Sequence, residues 1–189
     1  MKLNLLWITF AGAEELINLN YLFTFEPKPT IMEQSRILVD IALKAWTQQI
    51  SRAEKYFDAQ SDENLEKEVA PGKNRLVYLY GHLITSNDQM NKLFGFGPMM
   101  YPSFEEPFNK PDRTLPLPPA SEIRKAWKAT HSALWKNFEK LSVSEWLDKH
   151  TAMTAEDLAK EPTRNKLSVL MTRTNHVAYH LGQLNLVKG

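Results

Sequence analysis

Asn175-His176-Val177-Ala178-Tyr179-His180-Leu181-Gly182-Gln183 places two histidines four residues apart. In a helix that spacing stacks side chains one turn above the other on a single face. On a wheel of about 100° per residue, Leu170, Val177, Leu181 and Leu184 cluster within about 60° as a core stripe. Arg173, His176, His180 and Gln183 form the adjacent row, with Tyr179 and Leu186 on its far side. A polar row beside a core stripe is where metal ligands would face the interior of a helical bundle. The segment therefore predicts a helix over about 163–187, and it asks for a third ligand from elsewhere in the chain.

His82 is the best third candidate. It lies beside the apolar side of a second helix, expected over about 74–94, whose core positions are Leu76, Leu79, Leu83 and Met90. Gly81 next to it costs helix stability, about 1 kcal/mol against Ala, so close approach of another group is one reason for a glycine there. If the two helices are antiparallel neighbours, His82, His176 and His180 fall at nearly the same level. If they are parallel, the offset is near 9 Å.

The remaining chain also reads as helix. Val39, Leu43, Trp46, Ile50, Ala53 and Phe57 repeat at three and four over about Glu33–Ala59, widened by Leu38, Ala42 and Ala45. A polar connection follows, with Asp62, Glu63 and Glu66 as a solvated face and Pro71-Gly72 as a stop. Residues 95–119 hold seven of the eleven prolines, interleaved with Phe96, Tyr101, Phe104 and Phe108. So many aromatics indicate an ordered crossover packed over the bundle. Its length can return along a helix of about 31 Å and join neighbouring parallel helices, which a short turn cannot. A third helix is expected from Ser121, as N-cap, to about Leu141, carrying Ile123, Trp127, Leu134 and Phe138. Ser142 with Glu145 and Thr154 with Asp157 resemble capping boxes of two short pieces. Nothing alternates with period two. The expected fold is all-α, a four-helix bundle in up-down-down-up order with a Pro/aromatic crossover between the second and third helices.

Bulk properties set the outer limits. A chain of 189 residues is large enough for one domain with a real core. Its charge of +1 gives no field for drawing nucleic acid or an anionic membrane. No cysteine is present, so disulfides and thiolate metal sites are excluded. No stretch reaches the roughly 20 apolar residues of a membrane span. Residues 1–31 are read as a poorly packed extension, an upstream start before Met32, with residues 32–189 as the bundle. The competing reading takes Leu5–Ala13 as a secretory signal. His131 and His150 have no partner pattern and are read as surface or structural histidines.

Three imidazoles suit zinc, nickel, copper or iron(II). Three protein ligands leave positions open, the pattern of a catalytic rather than a closed structural site. Asn175 or Gln183 would orient a ligand, and Arg173 would pair with a substrate carboxylate.

The chain resembles the DinB/YfiT-like superfamily over about residues 32–188. The likeness rests on Gly81-His82-Leu83, on Glu161-Pro162 and Arg164-Asn165 before the last helix, and on the HxxYHxGQ signature from His176 to Gln183. It implies an up-down-down-up four-helix bundle holding a divalent metal on His82, His176 and His180. It also implies, for some members, S-transferase chemistry on low-molecular-weight thiols, and homodimers. The leading expectation is a cytoplasmic metal-dependent thiol transferase, with zinc or nickel ahead of iron or copper. A small-molecule thiol and an electrophile would be its partners. The alternatives are a metal-dependent hydrolase, a non-enzymatic metal-binding or stress-response protein, and a purely structural role for the histidines.

Overall fold

The computed structural model describes residues 30–187. The expectation for residues 1–31 thus lies almost wholly outside the described residues. Only Thr30 and Ile31 fall within, as the cap and the first residue of the first helix. α1 runs Ile31–Asp58, α2 Asp62–Leu65, α3 Leu76–Phe94, α4 Glu105–Asn109, α5 Ala120–Phe138, α6 Val143–Leu147, α7 Ala155–Lys160 and α8 Lys166–Leu184. A short 3-10 turn at Pro102–Phe104 leads into α4. Among the described residues the only strand-like pairing is an isolated bridge between Glu68 and Arg75, so the fold is all-α.

Four long helices, α1, α3, α5 and α8, enclose the core. Side-chain meetings give their directions. Trp46 meets Phe138 and Phe57 meets Trp127, so α1 and α5 are antiparallel. Tyr80 meets Trp127 and Phe94 meets Phe138, so α3 and α5 are parallel. His82 lies against His176 and His180 while Gln89 reaches Arg173, so α3 and α8 are antiparallel. α8 packs along α1. These pairings are those that an up-down-down-up order produces.

The buried side of α1 is the stripe of six read from its periodicity, Val39 through Phe57. Thr30 caps this helix, accepting from the Glu33 amide, while the Glu33 carboxylate accepts from the Thr30 amide. The helix therefore begins at Ile31, two residues before the expected Glu33. α5 begins at Ala120 with Pro119 before it, not with Ser121 as its cap. The proline's fixed φ suits entry into a helix, and its missing N–H is not needed there. α8 begins three residues later than the expected Thr163, because Asn165 forms a capping box with Ser168. The boxes at Ser142 with Glu145 and Thr154 with Asp157 are both formed.

α3 departs most from its expected one-sided pattern. Leu76, Leu79, Leu83 and Met90 are buried, but so are Tyr78, Thr85, Asn87, Asp88 and Asn91. Asn87 meets His131 of α5; for the others the reason is the crossover. It covers the side of α3 that α5 and α8 leave free, with Phe104 and Phe108 fully buried. Two anchors fix it. Asp88 accepts from the Met100 and Tyr101 amides at 3.0 and 2.8 Å. Asp112 accepts from the Arg75 amide at 2.8 Å and pairs with its guanidinium at 2.7 Å. Between these anchors the chain passes directly over Gly81.

Candidate metal centre

The crossover sets the orientation of the first histidine. Tyr78 on α3 donates to Lys110 O at 2.8 Å and to Phe108 O at 3.2 Å. His82, one turn further along, places Nδ1 2.8 Å from the same Phe108 carbonyl. A carbonyl can only accept, so Nδ1 of His82 carries the proton. Its Nε2 is then a bare lone pair.

The second histidine is fixed from its own helix. His180 Nδ1 lies 2.7 Å from Gln183 Oε1, and the Gln183 amide nitrogen donates to Tyr179 Oη at 3.2 Å. That bond holds the amide oxygen toward the ring. Nδ1 of His180 is therefore the donor and Nε2 is again bare. His176 lies between them. Its Nε2 is 3.1 Å from His82 Nε2 and 2.9 Å from His180 Nε2. Its Nδ1 is buried with no partner among the described residues.

Three Nε2 atoms thus converge from two helices. One nitrogen of each residue lies within 4.8 Å of those of the other two. Nitrogens about 2.0–2.1 Å from a shared ion stand roughly 3 Å from one another, so the spacing fits. The protonation pattern fits too. Two lone pairs are fixed toward a common point, and a single proton on His176 can satisfy only one of the two contacts. A cation satisfies all three. Burial is the main influence holding all three imidazoles below the ordinary histidine range. His176 is lowered furthest, to about 4, with its two histidine neighbours and Arg173 adding to the effect. All three are neutral near pH 7, the form that ligates.

Of the other candidates, Gln183 reaches a ligand ring directly. Arg173 is half-buried one turn before His176 and donates to Gln89 Oε1 at 3.0 Å. Asn175 is exposed on α8 and bonds none of the three histidines. His131 is a buried residue of the α3–α5 interface, bonded to Asn87 and to Trp127 O. His150 is not one of the three converging histidines and lies near Arg164 and Lys149. A broad groove of about 1090 Å³ between α1, α5 and α6 contains none of the three histidines. The three histidines lie instead at the α3–α8 seam. The Phe108 carbonyl was not foreseen, since a main-chain oxygen leaves no mark in side-chain pattern. Gly81 was its only trace.

A Cβ added at Gly81 would fall inside the Phe108 ring. Gly81→Ala gains about 1 kcal/mol of helix propensity. It also forces a fully buried phenylalanine aside, at roughly 1–3 kcal/mol. A net loss of up to about 2 kcal/mol in urea unfolding is expected, accompanied by weaker metal binding as the Phe108 carbonyl moves. Unchanged stability and unchanged affinity would mean that the crossover adjusts freely.

A family model for the DinB superfamily matches residues 45–184. The match spans α1 from near its middle through the end of α8, and so includes all three histidines. No curated protein matches the chain.

Proposed function

The chain belongs to the DinB superfamily, and on that premise we propose that it is a metal-dependent transferase acting on a low-molecular-weight thiol. One observation carries this reading. Three neutral imidazole nitrogens converge, and no cysteine or carboxylate belongs to the cluster. A first-row divalent ion, zinc or nickel foremost, suits that donor set and keeps coordination positions free for a small molecule. Bound there, such an ion supplies Lewis acidity that lowers the pKa of a thiol or water.

The protein's own part is orientation. Phe108 O and Gln183 Oε1 fix two rings in the tautomer that ligates, and burial keeps all three uncharged. The thiol sulfur forms its new bond to an electrophilic carbon. The thiol proton passes to solvent, and the leaving group departs with the electron pair of the broken bond.

The test is metal analysis of the purified protein followed by a panel of thiols and electrophiles. Thiol-dependent turnover that requires the metal supports the reading. Turnover without any thiol would replace it with metal-dependent hydrolysis. Stoichiometric metal with neither activity would leave a metal-binding protein without catalysis.

A further inference from the structure

Arg173 is a cation without a counter-charge. Arg75 and Arg124, also largely shielded, pair with Asp112 and Asp62. Arg173 has only the neutral Gln89 amide on one terminal nitrogen, and its Nε is buried with no partner among the described residues. A shielded charge left in this state is costly unless something matches it.

A cavity of about 300 Å³ adjoins it, lined by Arg173, Arg164, His150, Ser168 and Thr172 with Leu93 as apolar wall. No carboxylate lines it. Arg164 has one long contact at 3.8 Å, to exposed Glu161. His150 Nδ1 is a second buried nitrogen without a partner. The hydroxyls of Ser168 and Thr172 are already spent on Asn165 O and Ser168 O of their own helix. The free donors in the pocket are thus the guanidiniums and the imidazole. The first turns of α8 also form its wall, and a helix start favours negative charge. Three independent features, the unmatched Arg173, the orphaned His150 nitrogen and the acid-free lining, share one small space.

We propose that this pocket is an anion subsite, taking a carboxylate or phosphate group of the small molecule whose reacting end lies at the metal. The clause about the reacting end rests on the thiol reading above; the subsite does not. Arg173 is one turn from His176 and two from His180, about 5–10 Å along the helix. The substrate class is therefore an anionic thiol, or an anionic electrophile, with its charge separated from the reacting atom by that span.

The experiment uses the full chain loaded with metal. Binding of a mercaptoalkanoate of matching length is compared with binding of its neutral amide by calorimetry. The acid is expected to bind roughly 10- to 100-fold tighter, the value of one or more charge-assisted bonds. Arg164→Gln and Arg173→Gln should each reduce that preference, Arg164→Gln with metal content unchanged. Equal binding of acid and amide, or a preference that survives both substitutions, overturns the subsite. Inorganic phosphate and acetate are titrated separately. If neither thiol binds but one of these anions does, and Arg164→Gln weakens it, the subsite stands and the thiol reading falls. If both thiols bind equally and neither anion binds, the thiol reading stands and the subsite falls. Stronger competition by phosphate than by acetate assigns a phosphate group, and the reverse order a carboxylate.

Discussion

Alanine at His180 is expected to abolish stoichiometric metal binding while the helical circular dichroism signal persists. His180 is the most buried of the three ligands, and its Nε2 closes the triangle with His176 at 2.9 Å. Two imidazoles then remain on separate helices. Gln183→Ala provides the graded comparison. It removes only the acceptor that fixes the His180 tautomer, a change that typically lowers metal affinity about 10- to 100-fold. His180→Ala should exceed that loss, as read by competition with a chelating indicator. Elemental analysis that finds a full equivalent of metal in purified His180→Ala would remove the three-histidine centre from consideration.

The second large effect concerns a histidine outside the centre. His131 is buried against Trp127, with ring centroids 4.1 Å apart. Its Nδ1 donates to Trp127 O, and its Nε2 accepts from the Asn87 amide. A second proton would have to displace that amide inside the core. Burial lowers its pKa from 6.5 to about 3, against a smaller opposing effect of the Trp127 carbonyl. The sign follows directly. Below about 6.5 the unfolded chain takes up a proton that the folded one refuses, so this contribution is complete above that pH. It drains away as pH falls toward about 3. The slope approaches 1.4 kcal/mol per pH unit, roughly 2–3 kcal/mol between pH 7.5 and 4.5. His131→Gln lacks the titrating group. Urea unfolding of metal-free wild type and variant should therefore converge by that amount on acidification, since the three ligand histidines are common to both. Parallel stability curves would show that His131 protonates in place.

What the sequence made legible follows from which forces leave a periodic trace. The α1 stripe and the row from Arg173 to Gln183 were readable because a helix facing one neighbour alternates apolar and polar residues at its own period. α3 was harder, because a helix covered on every side loses that contrast. Its buried Asp88 and Asn91 look like surface residues until the crossover meets them, and Asn87 until His131 of α5 does. Helix ends moved by two or three residues where local chemistry competed. Pro119 took the place of Ser121, and Asn165 with Ser168 overrode Thr163. His82, His176 and His180 could be brought to one level from helix registry alone. The unpaired state of Arg173 could not be read in advance, since the lack of a partner becomes visible only in three dimensions.

One consequence follows from the origin of the Phe108 oxygen. It belongs to neither helix of the seam but to the segment that Asp88 and Asp112 tie down. Opening of that segment at Phe108 would free His82 to turn, and an ion held on the three nitrogens would oppose that opening. Metal occupancy and closure of the segment would then be linked. The Met100 and Tyr101 amides would then be protected from exchange by up to RT ln(1 + [ion]/Kd), the value where the two processes are fully linked. The scarcity or abundance of a trace element would then be registered as the exchange lifetime of backbone hydrogens remote from it.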